Sequence, residues 1–190
     1  MVYTHELARE GEGEYRFRDF FRDEKQLHKL FERFVGNFYR EELGKRDPEA
    51  RIVGSEWIEW EGEALDDASR GYLPKMKTDI SIRWPGRYLI IDTKFYREAL
   101  TRNQDYDKER INSANLYQIF SYVRNLAQRS PEYEHCEGML LYPTVETDLR
   151  LQYTLHGHRI TVCTIDLAQD WKAIHSRLLE LVSTPGPVFS

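Results

Sequence analysis

The sequence predicts a single α/β domain with a central mixed β-sheet flanked by helices. Its 190 residues are 41% hydrophobic, which is enough for one substantial core. Stretches with helical periodicity alternate with short β-rich stretches, in the order helix, three strands, helix, strands, helix. One continuous apolar run, residues 138–143, is typical of a strand that is buried on both faces.

The first helix is predicted over residues 23–43, where apolar side chains recur at spacings of three and four. The stripe consists of Leu27, Leu30, Phe31, Phe34, Val35, Phe38 and Tyr39. Residues 1–22 mix charge, glycine and aromatic residues without a sustained period. We therefore expect an N-terminal arm, or the remnant of a preceding domain, followed by one domain over residues 23–190.

The remaining elements follow from β-propensity, turn signals and helical periodicity. Residues 51–61 predict a first strand, and residues 77–94 predict two more strands around a Pro-Gly turn. A second helix is predicted over residues 109–127, ended by Ser130 and Pro131. The buried strand 138–143, a hairpin over residues 149–165 and a last helix over residues 167–182 complete the domain.

Composition excludes several classes of protein. The formal net charge of -5 lacks the basic balance of an autonomous nucleic-acid binder, so any DNA contact needs a local patch or a partner. Cys136 and Cys163 alone cannot form a disulfide framework or a four-cysteine zinc site. Since no stretch is typical of a membrane helix or a signal peptide, we expect a soluble, cytoplasmic protein.

The second and third strands predict a concentration of charged groups. If Pro85 and Gly86 are the two central turn residues, cross-strand partners sum to 171, and Asp79 falls opposite Asp92. The same register places Lys77 opposite Lys94. Because side chains alternate along a strand, the other face is apolar and consists of Ile80, Ile82, Leu89 and Ile91.

Two opposed carboxylates are destabilising unless a cation neutralises them. Mg²⁺ takes hard oxygen ligands, keeps several waters and accepts phosphate oxygens, so Asp79 and Asp92 predict a phosphodiester hydrolysis site, with the Thr93 carbonyl as a further ligand. Lys94 points to the same side, where it would orient or help deprotonate the attacking water. The alternative is a solvated surface hairpin with ordinary ion pairs.

Four linked blocks carry a family resemblance: LFERF, LPKMKTDISIRWPGRYLIIDTKFY, NLYQIFSY and EGMLLYP. Over residues 27–145 the chain resembles the McrC family, the nuclease subunits of methylcytosine-dependent restriction systems. The resemblance implies a PD-(D/E)xK restriction-endonuclease-like core, in which Asp79 is the first acid, Asp92 the second and Lys94 the motif lysine. Thr78 stands where the name of the motif has proline.

The resemblance also implies a function and partners. It predicts a Mg²⁺-dependent DNA endonuclease of a phage-defence restriction system, with Mn²⁺ able to substitute, coupled to a McrB-like AAA+ GTPase that recognises modified DNA. Such chains usually carry an N-terminal region that contacts the motor. This chain starts close to the predicted nuclease core, so we expect either a fragment or a shortened variant.

Further site residues are predicted beside this set. A glutamate on the first helix completes the metal site in many similar nucleases, which points to Glu32; the alternative is a solvent-facing residue. Gln118 and Tyr122 are four residues apart on the second helix and would reach one spot. The resemblance places them by the hairpin, where they would hold Lys94, a phosphate or a water, or where Tyr122 would simply pack.

Basic residues around the hairpin would supply DNA contacts. Lys75, Lys77 and Arg97 are the candidates for phosphate binding, together with the phenol of Tyr122. Two rival functions remain open: another PD-(D/E)xK enzyme of the repair class, such as a junction resolvase or a single-strand exonuclease, and a non-catalytic DNA-binding or assembly module of the same fold.

Overall fold

The computed structural model describes residues 24–69, 71–95, 100–103, 108–144 and 148–183. The predicted N-terminal arm, residues 1–22, and the DNA-binding candidate Arg97 lie outside the described residues. Within them, a six-stranded mixed sheet has helices on both faces, which confirms the predicted α/β class and the central mixed sheet. None of the helices in these ranges is long and apolar enough to cross a membrane.

The first helix confirms the apolar periodicity read from the sequence. Helix α1, Glu24–Phe38, continues through a π-helical turn, Tyr39–Leu43, into a short helical turn, Gly44–Arg46. Phe31, Val35 and Phe38 are buried against the sheet. Leu30 was predicted in the same stripe, but it is 51% exposed, because it lies one residue, or about 100°, around the helix from Phe31.

The strands are numbered in chain order and form three sheets. They are β1 Arg51–Gly54, β2 Trp57–Ile58, β3 Met76–Lys77, β4 Ile80–Trp84, β5 Arg87–Thr93, β6 Leu100–Asn103, β7 Lys108–Ile111, β8 Glu137–Thr144, β9 Arg150–Leu155 and β10 His158–Asp166. The main sheet has the order β1-β4-β5-β8-β10-β9. Strands β5, β8 and β10 run parallel, while the two edge strands and β4 are antiparallel to their neighbours.

The helices cover the two faces of this sheet. Helix α2, Ser113–Ala127, makes the crossover that the parallel pair β5 and β8 requires, and packs on one face. Helix α3, Trp171–Ser183, packs with α1 on the other face. Gly138 of β8 allows α2 to approach closely, because a Cβ there would lie 2.7 Å from the Cγ1 atom of Ile119.

The structure corrects three predicted boundaries. The predicted strand 51–61 is two strands, since Gly54 has a φ of +71° and shifts the register between β1 and β4. The second helix begins at Ser113 rather than residue 109, because the Asn112 side chain caps it by accepting a hydrogen bond from the Ala114 N–H at 2.9 Å. The last helix begins at Trp171 rather than residue 167.

The predicted hairpin register is confirmed from the turn to Ile80 and Ile91, where the ladder ends. Trp84 pairs with Arg87 and Ile80 pairs with Ile91 across a two-residue turn, in which Gly86 has a φ of +73°. That φ favours glycine at the second central position. The apolar face is also confirmed, since its four predicted residues, Ile80, Ile82, Leu89 and Ile91, all lie in the core beneath α1 and α3.

Candidate active site

The candidate site lies where β5 ends and β4 begins. Because these strands are antiparallel neighbours, the residue that precedes β4, Asp79, arrives beside the last residues of β5. The Oδ2 atom of Asp79 accepts hydrogen bonds from the backbone N–H and the hydroxyl of Thr93, at 2.8 Å and 2.7 Å. These bonds hold the Asp79 carboxylate at the carboxyl end of β5.

Asp92 is the most deeply buried acid of this site, with 1% of its surface exposed. Burial raises the pKa of its carboxyl to about 6; the Lys94 ammonium opposes that shift and the Asp79 charge adds to it. The Lys94 Nζ atom lies 2.6 Å from the Asp92 Oδ2 atom. The described residues give this oxygen no further hydrogen bond, so its second lone pair is open to another ligand beside the lysine.

A chain of hydrogen bonds fixes the Lys94 side chain. Its ammonium donates to the Gln118 side-chain carbonyl at 2.9 Å, and the Gln118 amide nitrogen donates to the Tyr122 hydroxyl at 2.7 Å. The Tyr122 hydroxyl in turn donates to the Lys77 carbonyl at 2.9 Å. Because lysine can only donate and a carbonyl can only accept, every donor in this chain has a defined direction.

The structure therefore brings Gln118 and Tyr122 to one spot beside Lys94. Tyr122 is only 5% exposed, and its hydroxyl is already engaged as donor and acceptor. Burial is also the main cause that raises the pKa of its phenol. These contacts favour the packing and positioning role of Tyr122 over the direct DNA contact.

Two predicted pairings lie beyond the hairpin ladder, which ends at Ile80 and Ile91. Asp79 does not pair with Asp92, since its carboxylate bonds to Thr93 instead. Lys77 does not lie opposite Lys94. Lys77 pairs instead with Trp57 in the two-stranded ribbon formed by β2 and β3. The side chains of Lys77 and of the other basic candidate on this ribbon, Lys75, are exposed to solvent.

Helix α1 contributes Glu32 and His28, one turn apart. Glu32 is partly buried, and the pKa of its carboxyl is raised first by burial and then by the Asp79 charge, with His28 lowering it. The His28 Nε2 atom lies 2.6 Å from the Thr93 carbonyl oxygen, which can only accept, so the imidazole donates. The sequence did not predict His28 as a site residue. Its spacing of four from Glu32, which places both on one helix face, was the only signal.

The donor set fits a magnesium ion. The acids offer hard carboxylate oxygens, and Mg²⁺ binds through one or two carboxylates while keeping several waters. Within the described ranges, no three His, Cys, Asp or Glu side chains are grouped closely enough to hold a metal. Two carboxylates with water are enough for this ion, and ligation by Asp79, Asp92 and Glu32 stays a prediction. The Thr93 carbonyl keeps one lone pair beside its bond to His28.

The fold and the site define an α/β protein with two acids and a lysine at the carboxyl end of a central strand. The family described as McrBC 5-methylcytosine restriction system component matches residues 25–143, and the chain belongs to this family. It is 33% identical over 181 residues to the "Type IV methyl-directed restriction enzyme EcoKMcrBC" of Escherichia coli (strain K12). That match covers 95% of this chain and 49% of the relative, so the chain spans about half of its length.

Proposed function

We propose that this restriction-system component is its nuclease, a McrC-like PD-(D/E)xK enzyme that hydrolyses DNA phosphodiester bonds with Mg²⁺. The observation that carries the proposal is the buried Asp92 carboxylate, 2.6 Å from the Lys94 ammonium, with Asp79 held beside it by Thr93. Because the single Lys94 ammonium offsets only one of the two acids, burial of Asp92 beside Asp79 is unfavourable without a further cation. The arrangement is therefore better suited to binding a metal than to stabilising the fold.

Each residue has a distinct task in this reaction. Asp79 and Asp92 would hold the cation, with Glu32 reaching it directly or through a water and the Thr93 carbonyl as a further oxygen. When bound, Mg²⁺ supplies Lewis acidity toward a phosphate oxygen and a water molecule. Thr93 ties the start of β4 to the end of β5 through its bonds to Asp79, and His28 ties α1 to the same strand end.

Lys94 is the residue that would meet the substrate beside the acids. Its ammonium offsets phosphate charge and orients, or helps to deprotonate, the attacking water. Gln118 keeps the ammonium on the Asp92 side of the strand, since its side-chain carbonyl accepts the lysine hydrogen bond and its amide is tied to Tyr122. These two hydrogen bonds reduce the conformational freedom of the Lys94 side chain.

A partner would supply DNA recognition and movement. The net charge of -5 argues against tight autonomous binding to DNA. The chain also covers only 49% of a relative that is named as a methyl-directed restriction enzyme. We propose that a McrB-like AAA+ GTPase recognises the modified DNA and delivers it to this site.

Nicking of supercoiled plasmid tests the proposal. The purified chain is incubated with Mg²⁺, Mn²⁺ or EDTA, with and without a McrB-like motor and GTP, beside Asp92→Ala and the exposed control Glu41→Ala. Metal-dependent cleavage that Asp92→Ala loses and Glu41→Ala keeps is the expected result. Cleavage at the parental rate by Asp92→Ala would refute the assigned site.

The same assay separates the rival functions. Absence of cleavage in every lane, including those with the motor, would favour a non-catalytic assembly module. Cleavage restricted to branched or end-bearing DNA, in the absence of any motor, would favour a nuclease of the repair class.

A further inference from the structure

A cationic aromatic patch lies on the ribbon formed by β2 and β3, next to the candidate site. The Trp57 side chain is 55% exposed, and the ammonium groups of Lys75 and Lys77 lie over its ring, 5.6 Å and 5.4 Å from the centroid. The Arg129 guanidinium donates a hydrogen bond to the Trp57 carbonyl at 3.1 Å. We call Trp57, Lys75 and Lys77 the Trp57 patch.

The outward position of Trp57 follows from the alternation of the ribbon. Ile58 and Met76 are paired with each other and turn inward, where they are 3% and 5% exposed in the core beneath α2. Their neighbours Trp57 and Lys77 are also paired and must therefore share the opposite, outward face. The inward side chains of the ribbon pack against α2. The segment just after β2 is also tied to this helix, since the Asn125 side chain accepts a hydrogen bond from the Glu61 N–H at 2.7 Å.

The Trp57 patch is connected to the candidate site through the backbone. Lys77 lies two residues before Asp79. Its carbonyl accepts the hydrogen bond from Tyr122, which is the last in the series of hydrogen bonds that begins at Lys94. The acid next to Trp57 does not cancel the positive charge of the patch, since the Glu56 carboxylate is paired with the Arg83 guanidinium at 2.6 Å. The Lys77 charge also reaches the candidate site, where it opposes the rise in the pKa of the Glu32 carboxyl.

We propose that the Trp57 patch binds an unpaired nucleotide of the DNA strand next to the scissile phosphate. The base stacks on the Trp57 ring, and Lys75 and Lys77 contact the flanking phosphates. This inference rests on the proposed nuclease function, and it adds the substrate feature that the site takes: a strand with an unpaired or displaced base beside the cut.

The relative strengths of the interactions allow this exchange. An exposed cation–π contact is worth about a two- to fivefold change in an equilibrium constant, whereas stacking one base on an aromatic side chain is worth about 5- to 150-fold. A base can therefore displace a lysine ammonium from the ring. The displaced ammonium remains within reach of the phosphates on either side, so it exchanges its contact with the ring for a contact with a phosphate.

Anisotropy of a labelled oligonucleotide tests the inference without cleavage. The full chain is titrated in EDTA against a single-stranded oligonucleotide and against its fully paired duplex. The variants are Trp57→Ala, Trp57→Phe and the control Tyr153→Ala, which removes an aromatic side chain that is 40% exposed on the edge strand β9. Circular dichroism of each variant confirms that it is folded.

Trp57→Ala should weaken binding to the single strand by about 5- to 150-fold, and Trp57→Phe by far less because a ring is retained. Lys75→Ala should lower the slope of log affinity against log salt by about 0.7. Unchanged affinity in Trp57→Ala, or an equal loss in Tyr153→Ala, would overturn the inference. An equal loss for the paired duplex would overturn the requirement for an unpaired base.

The result of the anisotropy titration does not depend on whether the chain cleaves DNA. Since the titration contains no metal, loss of plasmid nicking in every lane leaves the binding result unchanged. Failure of the stacking test with normal nicking would exclude base binding at the Trp57 patch and leave the roles of Asp79, Asp92 and Lys94 unchanged.

Discussion

Replacing Asp92 with asparagine should stabilise the protein in the absence of metal. The carboxylate is 1% exposed, and burial raises its pKa to about 6 in spite of the Lys94 ammonium. Asparagine has nearly the shape of the protonated acid but carries no charge. The Lys94 ammonium keeps its hydrogen bond to the Gln118 side chain in either case.

The expected gain follows from the change in pKa on folding. Because the folded pKa is raised from 3.8 to about 6, the unfolded chain ionises first as pH rises, and stability falls across that window. At pH 7.5 the ionised carboxylate should cost about 3 kcal/mol, and at pH 4.5 about 1 kcal/mol. Asp92→Asn has no group that ionises here, so its free energy of unfolding relative to the parent should rise by about 2 kcal/mol between pH 4.5 and pH 7.5.

Urea denaturation in EDTA at pH 4.5 and pH 7.5 measures this difference. Added Mg²⁺ should stabilise the parent and leave Asp92→Asn unaffected, because only the parent has the charged ligand. Asp79→Asn serves as the matched comparison and should not stabilise, since its Oδ2 atom accepts two hydrogen bonds from Thr93. A difference between Asp92→Asn and the parent that does not change with pH would refute the reasoning.

Three further predictions concern positioning and packing. Gln118→Leu removes the acceptor of the Lys94 hydrogen bond and should slow plasmid nicking about 10- to 150-fold; a rate within about twofold of the parent would contradict its role. Lys94→Ala should abolish nicking but keep Mn²⁺ binding, and calorimetry showing that Mn²⁺ affinity disappears with the lysine would mean that its role is misassigned. Gly138→Ala places a Cβ 2.7 Å from Ile119 and should cost about 1–3 kcal/mol in urea denaturation. Its control Gly44→Ala has nothing within 4 Å and should be neutral or slightly stabilising.

The hairpin was predictable from the sequence because its determinants are local. The Pro85-Gly86 dipeptide sets a two-residue turn, and a strand period of two then assigns every side chain to a face. The register of Ile80 with Ile91 and the position of Asp79 beside the end of β5 both follow. The stripe of α1 was predictable for the same reason, apart from Leu30 at its margin.

What the sequence did not predict depends on contacts between distant segments. The hydrogen bond from His28 to the Thr93 carbonyl spans 65 residues, and no local pattern indicates it. The pairing of Trp57 with Lys77 arises because the chain leaves the main sheet after β1. No local pattern shows that α2 covers the polar face of the hairpin and that Asp92 is buried there, which raises the pKa of its carboxyl.

The central claim is that Asp79 and Asp92 bind the cation on which hydrolysis depends. Calorimetric titration of the full chain with Mn²⁺ at pH 7.5 tests it most directly, with Asp92→Asn, Asp79→Asn and the remote control Glu41→Gln measured under the same conditions. The parent should bind Mn²⁺, both aspartate variants should bind it much more weakly, and Glu41→Gln should bind it like the parent. Equal Mn²⁺ affinity in the parent and in Asp92→Asn would contradict the claim.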